Sequence, residues 1–569
     1  SPWRSGGHGA QMRRRRRWRG FAAAQAALVG ADAGVYDYVV VGAGSAGSVA
    51  AAHLARSTGV TVALLETGGR EPFPFEFMPS YNGGSDFYTY HGASGGRRQR
   101  IMGGRAMGGS AAVNGGAYTR AAAGDFPWLS PEEVIAGYKA LEADMPRVLV
   151  SPTWEEEMPL TFRALSVGLM ARVGGNLHWR LDPHREDAPT ARISGFYRSQ
   201  VPWVRQQKEP VPQTASTDTE FHYRVPTLAH ADDANYRRWS ARLTPYNHLV
   251  RAWPPEGLAV FANTTARRVL LKGGRAVGVE TMSGSVFRAR REVFLCAGAL
   301  ETPKLLHASR LAPGKNGVGI FPFQDHRSVW LHLNLEGIAP EDPQLRVMIA
   351  FLNVSWPTTA SPHAPAEFEL YITERSCAHS RDWSCMDLGA ILLHPTSPGR
   401  LLLRPGADPE IELPLERADR WRFRRLFDFL SKAYETASEF LEPGTRRLLM
   451  TDELMRAFLH APAERFEEML VTRLFTWNHP TGTVPVGLLL DERFRFLGVQ
   501  GLRVADASAL PLSSSGHTDA AAQLVGHLAA RYAGEERSGL GGSGHGRNAW
   551  TATGSIWAPP GSMRPADRQ

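Results

Sequence analysis

The stretch VVVGAGSAGSVAAAHLA, residues 39–55, constrains the fold more than any other part of this sequence. Its three valines end a short apolar run that begins at Tyr36 and reads as a buried strand. Gly42-Ala43-Gly44-Ser45-Ala46-Gly47 makes a glycine-spaced turn, SVAAAHLARS reads as a helix, and VTVALLE reads as a second strand. In such a unit Gly42 permits the tight turn, Gly44 lets a pyrophosphate come close, and Gly47 lets the helix pack on the sheet. The helix N-terminus offers free N–H groups and the positive end of a dipole to phosphates. Glu66 closes the second strand 24 residues after Gly42, where a carboxylate accepts hydrogen bonds from an adenosine ribose. The unit predicts an α/β, Rossmann-type domain that holds a dinucleotide. Its acid disfavours a 2′-phosphate and leaves NAD and FAD both open.

Three further segments share this small-residue character. GGRAMGGSAAVNGGAYTRAAAGDFPW, residues 103–128, sets paired glycines beside small residues and Asn114, as backbone does where it passes hard against a flat ligand. VFLCAGALETPKLLHASRL, residues 293–311, reads as a strand, a glycine turn and a helix beginning at about Thr302. TWNHPTGTVPVG, residues 476–487, precedes GVQGLRVADASALPLSSSGHTDAAAQLVGHLAARYA, residues 498–533. The end of that last segment keeps helical spacing at Leu524, Val525, Leu528 and Tyr532.

In this order the four segments resemble the glucose-methanol-choline (GMC) family of FAD-dependent oxidoreductases, over about Tyr36 to Ala533. The resemblance implies FAD in the glycine turn and assigns its neighbours. Gly42, Gly44, Ser45, Ala46 and Gly47 would face the pyrophosphate, and Glu66 the ribose. Ala266 stands where the family usually has an adenine-flanking valine. Gly108, Gly109, Ser110, Asn114 and Gly115 match the stretch along the isoalloxazine, and Asp506 and Ala507 match residues near the ribityl chain and pyrophosphate. His517 and Thr518 open the last helix, whose N-terminus would face the flavin and stabilise its anionic reduced form. Departures are local. The family's GGSS is Gly108-Gly109-Ser110-Ala111, its Ser-Gly after the Leu305-Leu306 pair is Ser309-Arg310, and its GTCxMG is Gly482 to Gly487, GTVPVG. The place where some members attach FAD through a histidine holds Ile101, which implies non-covalent FAD.

The chemistry implied is oxidation of a CH–OH donor, with a hydride passed to flavin N5 and the hydroxyl proton taken by a group that titrates near neutrality. His479 in WNHPTGT and His517 in SSGHTD match the family's paired positions. His479 is assigned as principal base and His517 as the partner that hydrogen-bonds the substrate oxygen, although the two roles can be exchanged at this level. The chain has 19 histidines, most of which are expected to be surface or satisfied core residues. His326, in FQDH, reads as structural, His53 and His527 as packing residues, and Asp232-Asp233 as solvated loop charge. No HExxH, no P-loop lysine motif and no cluster of cysteines and histidines suggests a metal or ATP.

Composition excludes other classes. Of the net +8, +6 lies in residues 1–34, where seven arginines face one acid, and +1 in residues 535–569. The body is left nearly neutral, which argues against a nucleic-acid partner. Three cysteines, Cys296, Cys377 and Cys385, make neither a disulfide framework nor a zinc site. No apolar run approaches the roughly 20 residues of a membrane helix. The Arg- and Ala-rich start resembles an organellar transit peptide, for chloroplast or mitochondrion; a secretory signal or a disordered tail of a cytoplasmic protein are the alternatives. The Gly/Ser/Pro-rich end reads as disordered.

The resulting expectation is a discontinuous FAD domain over about 35–140, 225–320 and 476–534. A substrate domain with a mainly antiparallel sheet takes 141–224 and 321–475, and tails take 1–34 and 535–569. The partners expected are a small-molecule substrate and an electron acceptor, oxygen or another. Two other readings on the same fold stand beside alcohol oxidation: a light-driven fatty acid photodecarboxylase-type lyase, which a plastid transit peptide would suit, and a catalytically inactive flavoprotein, which the rewritten GTVPVG keeps open. The histidine pair favours the oxidoreductase.

Overall fold

A computed structural model describes residues 32–69, 87–94, 97–114, 120–145, 165, 178–179, 195–197, 203–205, 239–242, 244–252, 254–336, 346–352, 354, 366–377, 380–396, 399–441, 447–450 and 452–538. The Arg-rich start, the Gly/Ser/Pro-rich end, Asp232-Asp233 and Gly115 lie outside the described residues.

The first sheet is built on β1 (Asp32–Val41), β2 (Val62–Leu65), β3 (Leu258–Phe261), β4 (Ala266–Lys272), β5 (Arg275–Thr281), β6 (Val286–Leu295) and β7 (Leu502–Val504). Its order is β4-β5-β6-β1-β2-β3, with β7 against the end of β6. β6, β1, β2 and β3 run parallel, with Val41 opposite both Leu65 and Leu295, and β7 runs parallel to β6. The register explains the apolar runs. Val39, Val40, Leu64, Leu65, Phe294 and Leu295 are all fully buried, as strands covered on both faces require.

Four helices position the site: α1 (Ser45–Ala55), α2 (Pro131–Asp144), α3 (Gly298–Ala308) and α4 (Thr518–Arg537). α2 is set by its sequence: Ser130 and Glu133 form a reciprocal capping box and Pro131 takes the first helical position. α4 buries Leu524, Val525, Leu528 and Tyr532, as the spacing predicts. α3 begins at Gly298, four residues before the sequence expectation. Thr302-Pro303 looks like a cap followed by a first-turn proline, but Pro303 lies inside the helix. The Ala299 carbonyl that Pro303 cannot serve is taken by Thr483 Oγ1 at 2.9 Å.

A six-stranded sheet joins the strands Phe87–Ser94 and Arg97–Gly104 to strands between Gly314 and Glu412. An eight-stranded, mainly antiparallel sheet has Arg327–Glu336, Ser380–Leu392, Phe368–Cys377 and Arg346–Leu352 at its centre. One face packs on the helix Arg417–Glu439 through Val329, Leu331, Leu370, Ile372 and Leu388 against Phe423, Leu426 and Phe427. The two-residue alternation that buries those side chains sends Trp330, Glu369 and Tyr371 to the other face. On the Arg417–Glu439 helix Trp421 is 52% exposed, with Arg425 over its ring. Cys385 stands opposite Arg375 and Cys377 opposite Ser380, so the two cysteines are not cross-strand partners.

Candidate active site

The carboxyl ends of β1, β2, β6 and β7 come together, and each delivers a sequence-predicted segment there. Such an edge is where parallel α/β sheets bind ligands. A Cβ on Gly42 would lie 2.3 Å from the Cys296 carbonyl oxygen, and one on Gly47 would lie 1.9 Å from the Gly42 carbonyl oxygen. Those two glycines are therefore consumed by packing. Gly44 differs: its nearest neighbour for a Cβ is Gly109 Cα at 3.8 Å, so its α-carbon faces open space. No side chain caps α1 at Gly44, which leaves its first-turn N–H groups pointing into the same opening.

The second glycine cluster closes on the first. Gly108 N–H donates to the Ala43 carbonyl at 2.9 Å, and Ser110 Oγ accepts from Gly104 N–H at 3.0 Å. Asn114 N–H bonds the Ser110 carbonyl at 2.9 Å, folding this loop onto itself. Glu66 is buried; its Oε2 accepts from Ala43 N–H at 2.9 Å and its Oε1 from Gly68 N–H at 2.8 Å, while burial raises its carboxyl. The segment from Phe261 to Ala266 runs beside it, with Thr264 N–H on the Glu66 carbonyl at 2.7 Å. Asp506 is a clamp: Oδ2 accepts from Gly298 N–H at 2.8 Å and Thr302 Oγ1 at 2.6 Å, and Oδ1 from Ser508 N–H at 2.8 Å and the Ser508 hydroxyl. Its neighbour Ala507 begins a short 3-10 turn, and its carbonyl meets Gly482 N–H at 3.3 Å. The Ser45 hydroxyl meets the Asp519 carboxylate in the first turn of α4, next to Thr518, so the two helix N-termini stand side by side.

His479 and His517 lie on separate loops, yet their rings are 5.0 Å apart between centroids, at 76°. Three bonds fix the His479 loop. Asn478 Oδ1 accepts from Met102 N–H at 2.9 Å, Asn478 N–H meets Thr476 Oγ1 at 2.9 Å, and His479 N–H meets Asp325 Oδ1 at 2.9 Å. The His517 ring reaches the buried Glu369 through Nε2, 2.8 Å from Oε1. The serine strap before it is held residue by residue. Ser513 N–H bonds Gln324 Oε1 at 2.7 Å, the Ser514 carbonyl faces His326 Nε2 at 2.9 Å, and Ser515 N–H bonds Asp125 Oδ2 at 2.7 Å. Burial pushes Asp125 up to about 7 and Asp325 up to about 6. Burial drives His479 well below the usual imidazole range, with His326 and His517 adding to it.

Two partners of this pair escaped the sequence reading. His326, taken as structural, lies with Nδ1 2.8 Å from His479 Nδ1. Glu369 went unnoticed, although a carboxylate alternating with apolar residues in AEFELYITE is the kind of signal that marks one. Beside them stand Trp330, Tyr371 and Trp477. Trp330 is 5.3 Å from Trp477 and 6.3 Å from Tyr371, and Tyr371 is 6.2 Å from His517. Gly389 admits this packing: a Cβ there would sit 3.1 Å from Trp330 and 3.2 Å from Trp477.

The GMC oxidoreductase family model matches residues 36–203 and 222–327 with its N-terminal part and residues 395–526 with its C-terminal part. The chain belongs to the GMC oxidoreductase family. A GMC-type oxidoreductase of Mycobacterium bovis is 28% identical over 572 residues, covering 87% of this chain and 98% of that one. An oxygen-dependent choline dehydrogenase of Burkholderia pseudomallei is 25% identical, covering 86% and 92%. Among solved structures, the fold is shared with pyridoxine 4-oxidase from Mesorbium loti, with a TM-score of 0.65, 21% identity, and 87% and 99% of the two chains covered. It is also shared with formate oxidase, with a TM-score of 0.63, 17% identity, and 90% and 100% covered.

A GMC oxidoreductase is an FAD-dependent enzyme, and the cradle in this chain fits that cofactor. The uncapped start of α1 and the open face at Gly44 suit a pyrophosphate, and a carboxylate stands at the end of β2 for a ribose. Asp506 fits through the backbone it holds, because four donors of the protein itself already occupy its oxygens. Ile101 is fully buried and carries no nucleophile.

Proposed function

We propose that this GMC oxidoreductase oxidises an alcohol, with His479 taking the hydroxyl proton and His517 holding the substrate oxygen. When bound, FAD supplies the acceptor for the hydride of the carbinol carbon. The observation that carries the reading is the convergence of the two imidazoles, 5.0 Å apart, from loops pinned separately by Asp325 and by the serine strap. A base works when it is neutral at the operating pH and within hydrogen-bond reach of the proton it removes. Burial keeps His479 neutral across the physiological range. Glu369 engages the His517 ring through Nε2, so a second ring hydrogen, on Nδ1, would be the donor that holds the substrate oxygen, its charge balanced by the Glu369 carboxylate. Trp330, Tyr371 and Trp477 supply an apolar wall next to this pair, and such walls exclude water from the reacting atoms. The relatives named for choline and pyridoxine oxidation support a CH–OH donor as the substrate.

Mixing the purified holoprotein anaerobically and in the dark with choline, sugars, aryl alcohols and long-chain alcohols tests this. Bleaching of the visible flavin band by one class supports alcohol oxidation. Failure of every class, followed by decarboxylation of a fatty acid under light, would replace it with the lyase reading.

A further inference from the structure

We propose that His326 is a positioning residue that fixes which ring nitrogen of His479 carries the proton. The proposal rests on the reading of His479 as the base and concerns how that base is kept in working form. His326 Nε2 lies 2.9 Å from the carbonyl oxygen of Ser514. A carbonyl oxygen only accepts, so Nε2 carries a hydrogen. In a neutral ring Nδ1 is then a lone pair. His479 Nδ1 lies 2.8 Å from that lone pair and must donate to it. A neutral His479 has a single ring hydrogen, now committed to Nδ1, so its Nε2 is bare. Nε2 of His479 has no hydrogen-bond partner among the described residues.

The chain of bonds begins at a group that cannot change its role. An unconstrained imidazole favours its hydrogen on Nε2, and that tautomer cannot accept a proton there. The Ser514 carbonyl selects against it, one ring removed. The neutral form of His326 is itself secured. Its side chain is fully buried, and desolvation, then His394 and His517, hold it down to about 3. The nearby carboxylates are engaged elsewhere: Asp325 takes the Thr476 hydroxyl and the His479 backbone N–H, and Glu369 takes the His517 ring. When His479 gains a proton at Nε2, its bond to His326 Nδ1 becomes charge-assisted and strengthens.

His326 also belongs to a tripeptide that measures the site. Gln324 pairs with Thr481 through backbone bonds of 3.0 and 2.8 Å and reaches Ser513 with its side chain. Asp325 holds the His479 backbone and His326 holds its ring. Consecutive residues at the edge of the large sheet thus tie the His479 loop to the strap that carries His517.

Nitrogen NMR of histidine-labelled holoprotein tests the proposal, with the His479 signals identified by their loss in His479→Gln. In the wild type, His479 should show a protonated Nδ1 and a bare Nε2, and His326 the reverse. His326→Leu should move the His479 proton toward Nε2. His326→Gln, whose amide donates to Ser514 and accepts from His479, should restore the wild-type pattern. A wild-type His479 protonated at Nε2 overturns the proposal, as does an unchanged tautomer in His326→Leu. The wild-type spectrum decides even if the leucine variant does not fold. None of these readouts needs an alcohol, so their failure is distinct from a flavin that no alcohol bleaches.

Discussion

His53 on α1 and His527 on α4 meet edge to face across the helix seam, Nδ1 to Nδ1 at 3.1 Å. Asp144, at the end of α2, sits 3.0 Å from the far nitrogen of His53 and also pairs with Arg56, so three helices share one short polar chain. Burial, followed by His53 and Arg531, holds His527 down to about 4.

That depression sets a pH dependence. Between about 4 and the ordinary 6.5, the unfolded chain binds a proton that the folded His527 refuses. Its contribution to stability is therefore complete above 6.5 and is lost as the pH falls toward 4. His527→Gln should be less stable than wild type at neutral pH, and the gap in Tm should narrow by a few degrees on acidification. Parallel Tm curves from about pH 7 to 4.5 would refute the linkage.

Removing the proposed base should separate binding from chemistry. His479→Ala is expected to keep FAD and its visible spectrum while slowing anaerobic flavin reduction by at least about a hundredfold, the usual scale of general-base loss. Stopped-flow reduction at several alcohol concentrations checks this, and an unchanged rate would remove His479 from the role.

Two of the turn glycines should respond differently to a methyl group. Gly47→Ala drives a Cβ into the Gly42 carbonyl, 1.9 Å away, and should cost at least about 3 kcal/mol of stability. Gly44→Ala meets only Gly109 Cα at 3.8 Å, so the FAD-free protein should melt as wild type does while its affinity for FAD drops. Melting of the stripped proteins and a fluorescence titration with FAD distinguish the two effects.

Arg310 occupies the left-handed region, with φ of 60°, directly after α3. Its side chain is exposed and has no hydrogen bond or ion pair among the described residues. Arg310→Gly should therefore relieve strain and stabilise the protein by about 1 kcal/mol, measured by denaturant unfolding. A loss of stability would mean that the arginine contributes more than its backbone costs.

What the sequence revealed depended on how local the chemistry was. The glycine turn, the position of Glu66 and the apolar strand through Val39 to Val41 were legible because strand, turn and helix are neighbours in the chain. Helical spacing likewise predicted the buried face of α4. Pro303 misled for a local reason too, since its missing N–H resembles a helix start until Thr483, far along the chain, is seen to serve the stranded carbonyl. His326 and Glu369 were hidden for the opposite reason. They lie 153 and 148 residues from the histidines they touch, and no spacing rule reaches that far.

The two imidazoles and two rings of the aromatic wall, Trp330 and Tyr371, belong to different parts of the structure. The histidines ride on loops locked together by Gln324, Asp325 and His326, whereas Trp330 and Tyr371 project from the middle of strands whose opposite face is anchored in the core of the large sheet. On the proposed reading, exchanging these rings one strand position at a time would change the alcohol accepted and leave the two imidazoles in place. Evolution toward a different substrate would start at 330 and 371, and a library built at those two positions would sample specificity while the reaction stays the same.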